Sequence, residues 1–454
     1  MTIQPNLPAV LRPQSIAVIG SGISGLSAAW LLSQRHAVTL FESEHRLGGH
    51  SNTVDANGTA VDTGFIVYNE PTYPNLTALF KHFNVETIPT DMSFAVSLDG
   101  GRLEYSGSGL RGLFAQKRNI TSPRFYGMLR DLARFYAEAP HDIDRLGMIT
   151  LNDYLTMKAF GASFRDDHLY PMAAAIWSTP AADIGNYPAA AFIRFCRNHG
   201  LLQFRDRPIW RTVKGGSRAY VTKLVEAITG SGTGRILTGI GAASVRRIGS
   251  GIEVRDTIGE VHAFDQVVFA SHADDTLKLI ADPSPGETRI LGAFRYSENR
   301  AVLHRDASLM PRRRAAWAAW NYASMNDASG RHLSVTYWMN LLQSIPRGNP
   351  LFVTLNPFRE PRADLVVSTH AYAHPQFDVA ALKAQHELWS LQGERGTWFC
   401  GAYFGAGFHE DGIQSGLAVA ETLGHLRRPW TVAGESDRIV ITPRIMAAPE
   451  LEPS

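Results

Sequence analysis

The feature that narrows the fold most is a strand, a glycine-rich turn, a helix and a second strand in immediate succession near the start of the chain. Ser15-Ile16-Ala17-Val18-Ile19 is a short apolar run of the kind found in parallel strands buried on both faces. Gly20-Ser21-Gly22-Ile23-Ser24-Gly25 follows directly. A helical run, Leu26 to Leu32, comes next, and Ala37–Phe41 reads as a second strand ending at Glu42. In a G-x-G-x-x-G turn the first glycine makes the turn, the second admits a pyrophosphate, and the third lets helix and strand pack closely. Gly20, Gly22 and Gly25 take these places. Ile23 and Ser24 open the helix, whose free N–H groups and partial positive charge favour phosphate. Glu42 stands where a carboxylate takes ribose hydroxyls. It would repel a 2′-phosphate, which argues against NADP.

Composition bounds the rest. At ~150 residues per domain, the 454 residues imply more than one domain. Hydrophobic residues make up 44% and charged residues 19%, as in globular proteins. Lys and Arg number 44 against 42 Asp and Glu, a balance that excludes a chain built mainly to bind nucleic acid. Cys196 and Cys400 are the two cysteines and form no C-x-x-C pair, so neither a disulfide framework nor a thiolate metal site is expected. No apolar run approaches the ~18 residues of a spanning helix. Met1 to Ser15 lacks the apolar core of a secretory signal. The expected location is cytoplasmic.

A second glycine turn follows the acid: Arg46-Leu47-Gly48-Gly49-His50. It lets the chain pass close to an extended cofactor, and Arg46 can meet phosphates bidentately. Asn57-Gly58-Thr59 reads as a hairpin turn leading into Ala60–Ile66. This series resembles the FAD-dependent amine oxidase and desaturase superfamily. The resemblance implies non-covalently bound FAD, with Gly64 and Phe65 beside the isoalloxazine ring. It continues in Trp210–Ser217, a glycine pair before a helix from Arg218 to Ile228, and in strands around Arg235–Thr238, Ala243–Ile248 and Asp265–His272. By resemblance, backbone at Val245 meets the adenine. At the C-terminal end, Trp398–Tyr403 and Gly407-Phe408-His409-Glu410-Asp411-Gly412-Ile413 resemble the family's flavin loop and helix, here expected from Ile413 to Leu426. That implies cofactor contacts from Glu410, Gly412 and Ile413. A helix N-terminus there would stabilise negative charge on the reduced ring.

The expected fold class is α/β: a Rossmann-type FAD-binding domain in an amine oxidase-like two-domain fold, with an α+β substrate domain inserted in two segments. Residues 1–69, 210–282 and 396–430 would form the FAD domain. Residues 70–209 and 283–395 would form the substrate domain, and 431–454 a C-terminal tail. Helices are expected at Pro74–Phe83, Pro123–Glu138 and Leu169–Trp177, and strands at Ala301–His304 and Leu333–Met339.

A flavin points to hydride removal from a C–H bond. The stretch Phe294–Arg300 holds no lysine where amine oxidases place one against the flavin, and Phe408 matches one of their two substrate-flanking rings. Cys400–Tyr403, Leu303-His304-Arg305-Asp306 and His374-Pro375 resemble bacterial flavoproteins near the fatty-acyl desaturase of furan fatty acid biosynthesis. That resemblance implies desaturation of a methyl-branched acyl chain of a membrane lipid. The aromatics Trp317, Trp320, Tyr322, Tyr337 and Trp338 are material for a tunnel or for ordinary core. Residues 110–135 mix apolar and basic side chains, a pattern that suits peripheral contact with an anionic membrane or an amphipathic helix packed on its own domain. His409 is the candidate for acid–base work, with a loop hydrogen bond as its alternative. An amine oxidase, a polyene (carotenoid-like) desaturase, and a non-catalytic flavin-bound lipid carrier or redox sensor are the competing functions.

Overall fold

A computed structural model of the chain describes residues 12–177, 184–249, 251–327 and 330–442. In chain order the elements that position the cleft are β1 (Ser15–Ile19), α1 (Ile23–Leu32), β2 (Ala37–Glu42), α2 (Pro74–His82), β3 (Phe94–Leu98), β4 (Leu103–Ser106), α3 (Pro123–Asp142), α4 (Tyr170–Trp177) and α5 (Ala189–Asn198). They continue with β5 (Gly234–Thr238), β6 (Gln266–Phe269), β7 (Arg295–His304), β8 (Trp320–Asp327), β9 (Gly330–Trp338), β10 (Phe352–Leu355), β11 (Val366–Gln376), β12 (Thr397–Phe399) and α6 (His409–Gly424).

Two sheets organise the molecule. The first is parallel throughout, in the order β5-β2-β1-β6-β12. Its central strand β1 is buried on both faces, as its unbroken apolar sequence requires. The second sheet has the order β11-β7-β10-β9-β8-β3-β4 and is antiparallel except where β8 runs alongside β3. Helices α3, α4 and α5 pack with this second sheet in one apolar core, and α1, α2 and α6 join the first sheet in another.

Helix α1 is buried along its whole length, which explains its run of Gly, Ser and Ala. A Cβ on Gly25 would drive into the carbonyl oxygen of Gly20, so the turn and the helix start can coexist only without a side chain there. At the other end Trp30 stacks on Trp430 at 5.7 Å, tying the helix to the chain beyond α6.

Three boundaries differ from expectation. Helix α2, assigned from the sequence to the substrate domain, packs in the dinucleotide core through Leu76, Leu79 and Phe80. The reason is polar: the Glu410 carboxylate of α6 accepts from the backbone N–H groups of Asn75 and Leu76 at 3.1 and 3.0 Å. The helix expected from Ile413 begins at His409, where the Phe408 N–H donates to Asp411 at 2.8 Å and starts the first turn early. Residues 431–442, expected as part of a separate tail, return to the core: Arg438 donates its N–H to Gln414 at 3.1 Å and Ile439 is buried. The rest of that tail lies outside the described residues.

Gly416 of α6 sits against the Ser24 carbonyl and Ser27 hydroxyl of α1, with no room for a Cβ. Gly416→Ala therefore overpacks the contact, at a cost of roughly 1–3 kcal/mol. Thermal unfolding should fall by several degrees; an unchanged midpoint would contradict this close approach.

Candidate functional site

A cavity of about 1520 Å³ is lined at one end by Gly20–Ser24 and Glu42 and at the other by Leu110, Phe204 and Ile209. It thus spans from the first sheet's helix-bearing turn into the helical part of the second domain.

The dinucleotide end is built from glycines and one carboxylate. Gly20 holds φ +101°, a conformation side chains rarely adopt. Gly22 caps α1 with no side-chain hydrogen bond, so the helix's first N–H groups stay available, and nothing lies within 4 Å of where its Cβ would be. Glu42 is fixed at the end of β2: it accepts from the Ser21 N–H and hydroxyl at 3.0 and 2.6 Å and from the Glu44 N–H at 2.9 Å. The second glycine turn locks onto the first. Gly48 donates its N–H to the Ser21 carbonyl at 3.1 Å, and a Cβ on Gly49 would come within 3.1 Å of the Gly22 Cα. Gly64 and Phe65 line the same space, and a Cβ on Gly64 would collide with the His50 carbonyl. An open shelf over Gly22, free helix N–H groups and a carboxylate at the strand end fit a dinucleotide whose ribose carries no 2′-phosphate.

Five residues expected at the cofactor are not on the cavity wall. Arg46 does not line the cavity; it donates to the Gly49 carbonyl at 2.6 Å and pairs with Glu44 at 2.9 Å. Val245 is buried away from it, with its carbonyl taken by the Ala281 N–H at 2.9 Å. A register shift between Ala242 and Ser244 puts Gly241 and Ala242 on the cavity wall instead. Glu410 faces α2 and also accepts from the Asn75 and Gln414 side chains, so it pins two helices rather than touching the cavity. Gly412 and Ile413 lie in the buried body of α6; a Cβ on Gly412 would meet Ile23 of α1.

His409 does line the cavity, stacked on Phe65 at 3.7 Å. Its Nε2 is shared between the Ser51 and Tyr220 hydroxyls at 2.9 and 3.1 Å, and burial pushes its pKa down to about 3. It is a neutral wall residue held in a hydrogen-bond knot. A second group of histidines was not recognised as a group in the sequence. His50 lies 5.9 Å from His272 and 5.5 Å from His374, all three on the cavity wall. Burial lowers the pKa of each, that of His374 to about 4, and the neighbouring imidazoles depress His50 further. Asn299 donates to His374 Nδ1 at 2.9 Å, leaving Nε2 as the N–H, while Nε2 of His50 has no partner among the described residues. The three come from distant segments, and no local spacing announces them. His304, which the resemblance picks out with His374, lies elsewhere, bonded to Thr354 at 2.7 Å.

The far lobe is apolar, walled by Leu113, Leu129, Leu132, Met172, Ile176 and Leu201. The α3 helix buries Phe125, Met128 and Phe135. Its arginines are engaged within the protein: Arg124 pairs with Asp167 at 2.7 Å, Arg130 with Asp131 at 3.0 Å, and Arg134 lies over Phe160 at 4.0 Å. Of the aromatics, Trp320 and Tyr337 reach the cavity, whereas Trp317 and Trp338 pack on each other at 5.3 Å. Phe408 lines the cavity and stacks on Phe195 at 4.8 Å. Lys278 is the lysine on the wall among the described residues, and it is exposed and bonded to Asp274 and Asp275 at 3.3 and 2.9 Å. The wall carboxylates are Glu42 and Asp275 near the dinucleotide end and Asp91 at an exposed position.

This geometry defines a two-domain dinucleotide-binding protein with an apolar chamber. Residues 18–83 match the model of the NAD(P)-binding Rossmann-like domain family. AofH of Mycobacterium tuberculosis, named as a flavin-containing monoamine oxidase, is 26% identical over 284 residues, 60% of each chain. The match thus spans about 60% of the length of that curated relative. Among solved structures, putrescine oxidase bound to putrescine aligns with a TM-score of 0.65 at 13% identity, covering 90% of this chain and 99% of that one. A CLA-producing fatty acid isomerase from P. acnes aligns at 0.63 and 14% identity, covering 92% and 99%. The chain thus shares its fold with these solved structures and part of its sequence with a flavin-containing monoamine oxidase, and its dinucleotide end fits FAD.

Because a side chain at Gly22 meets no protein atom, Gly22→Val should fold with an unchanged melting midpoint when compared with the cofactor-free protein. It should purify without visible flavin absorbance. A yellow Gly22→Val protein would refute the placement of the pyrophosphate over this residue.

Proposed function

We propose that the protein is an FAD-dependent oxidoreductase that desaturates a long apolar substrate, a methyl-branched fatty acyl chain of a membrane lipid. The observation that carries this reading is the chamber itself: a wall of leucine, isoleucine and methionine that continues from the dinucleotide cleft and, among the described residues, holds no buried carboxylate to receive a cationic amine. Bound FAD would supply the hydride acceptor. The protein's part is to exclude water around the C–H bond and to hold the chain against Phe408 and the leucines of α3. Desaturation also frees a proton from the adjacent carbon. Neutral His50, on the cavity wall, is the residue proposed to take it.

An amine oxidase is the second reading, favoured by the Phe408 ring on the wall and by the names of AofH and putrescine oxidase. The engagement of Lys278 with two aspartates and the apolar lobe speak against it.

The rim of the chamber supports a peripheral seat on a membrane. Leu110, Ile209 and Phe204 line the cavity yet are 76%, 69% and 61% exposed. Exposed Arg111, Lys117, Arg118 and Arg205 stand beside them in the sequence, and residues 107–130 contain no Asp or Glu. Such a rim suits an anionic bilayer. The proposed contact is therefore this rim rather than helix α3, whose arginines are occupied. No helix among the described residues is long and apolar enough to cross a membrane.

The reaction is tested by mixing the holoprotein anaerobically with liposomes of methyl-branched acyl phospholipid and, in parallel, with an amine panel. Bleaching of the flavin by the branched lipid, with an unsaturated product by mass spectrometry, is the expected result. Bleaching by amines alone replaces this reading with the second, and bleaching by neither leaves a lipid carrier or redox sensor. For the rim, the protein should sediment with vesicles containing anionic phospholipid and remain in solution with neutral ones. Reversing Arg111, Lys117 and Arg118 to Glu should weaken binding by about fivefold per charge at low salt.

A further inference from the structure

A second, smaller cavity of about 270 Å³ is separate from the chamber, and three arginines line it. Arg102 comes from the turn before β4, Arg118 from the short helical turn Lys117–Thr121, and Arg124 from the first turn of α3. The cavity lies close to the chamber. Leu103 of β4 is on its wall, and Tyr105, two residues along the same strand, is on the chamber wall. The loop after β4 serves both spaces, lining the chamber at Leu110 and Leu113 and the small cavity at Arg118 and Ser122. The Phe125 ring joins the two, 5.4 Å from Tyr105 and 6.1 Å from Phe114.

Two acids hold the arginines in place without using up their donors. Asp99 accepts from the Nε of Arg102 at 2.8 Å. Asp167, buried on the cavity wall, accepts from the Nε of Arg124 at 2.7 Å and lies 3.9 Å from Arg102. It is presented by a π-helical turn, Arg165–Leu169, a rare distortion that recurs at functional sites. Neither hydrogen bond engages a terminal guanidinium nitrogen. The Arg118 side chain has no hydrogen bond or ion pair among the described residues. Three cations thus stand against two acids. The Ser122 Oγ accepts from the Phe125 N–H at 3.3 Å, which leaves its own hydrogen to donate. Donors converging from three segments suit a tetrahedral anion. A phosphate presents three or more oxygens to arginine forks, whereas a carboxylate presents two.

The surroundings of the cavity select the source of that phosphate. Ile120 and Tyr126, on either side of Ser122 in the sequence, are 52% and 48% exposed. The Tyr126 hydroxyl donates to the Ile120 carbonyl at 3.0 Å, which keeps the two segments together. Exposed apolar side chains beside a cationic cavity gain nothing from a soluble phosphate, but a bilayer covers them. We propose that the cavity of Arg102, Arg118 and Arg124 receives the phosphate of an anionic phospholipid, so that one headgroup anchors the chamber rim to the membrane. This rests on the peripheral seat proposed above and deepens it: Arg118 reads a phosphate, whereas Arg111 and Lys117 contribute charge alone.

The test is sedimentation of the holoprotein with phosphatidylcholine vesicles made anionic either by phosphatidic acid or by cholesteryl hemisuccinate, a carboxylate, at matched surface potential. Phosphatidic acid should bind about tenfold more tightly. Arg118→Gln should abolish that preference, Arg118→Lys should keep part of it, and Arg111→Gln should weaken both vesicles alike. Because Arg118 has no partner to orphan, the melting midpoint of Arg118→Gln should equal the parent's. Glycerol phosphate should release the protein from phosphatidic acid vesicles and not from hemisuccinate vesicles at the same ionic strength. Equal binding to the two vesicles, or a preference that survives Arg118→Gln, would overturn the phosphate site and spare the membrane seat. Binding to neither vesicle would sink the seat. Capture of glycerol phosphate in solution, lost in Arg118→Gln but without any vesicle preference, would replace the lipid by a soluble phosphate.

Discussion

Helices α1 and α6 approach so closely that their contact is backbone against backbone, and the cofactor cleft depends on it. Gly25 lets α1 start directly over β1, and Gly412 and Gly416 let α6 lie against Ile23, Ser24 and Ser27. The turn that faces phosphate and the loop at 401–409 that completes the wall are thereby fixed to each other. Without small residues on both helices, the two would be held apart by side chains, and the cleft would open at its centre.

Polar ties around this contact are unusually dense. The Glu410 carboxylate accepts from the first N–H groups of α2, from Asn75 and from Gln414, four bonds inside the core. Burial raises its pKa while these donors pull it back, so the hydrogen bonds stabilise the charged form. Asp62 plays the same part between domains. It accepts from the Ser217 N–H at 2.9 Å, from Thr53 at 2.6 Å and from Gln343 at 3.0 Å, joining the hairpin at 53–62 to the glycine pair and to the chain after β9. Neither acid lines the cavity; each holds segments that do.

What could be read from the sequence was whatever local pattern decides. The βαβ unit, the hairpin at Asn57-Gly58 and the glycine pair before Arg218 are each specified by residues a few positions apart, and they stand where the sequence put them. What could not be read was decided by competition at a distance or by phase. Arg46 has Glu44 two residues away and takes it. Val245 loses the cavity to Ala242 because a bulge shifts the strand. Glu410 follows His409 by one residue, yet successive positions on a helix point about 100° apart, so His409 reaches the chamber and Glu410 reaches α2. The arginines of α3 looked free because Asp167 and Phe160 lie beyond the helix in sequence. The histidine group is assembled from distant segments whose meeting no spacing reveals.

The order of the segments along the chain bears on how the protein is made. The parallel sheet receives its edge strand β12 only after both insertions, and α6, which closes the cleft against α1, follows it. During synthesis the phosphate-facing turn leaves the ribosome before its covering helix, which follows after almost four hundred further residues. Domains fold as units from the N-terminus as they emerge, but this one cannot. Its edge strand and its covering helix are supplied only by its last segments. The cleft between the phosphate-facing turn and α6 is therefore complete only when everything between them has been made.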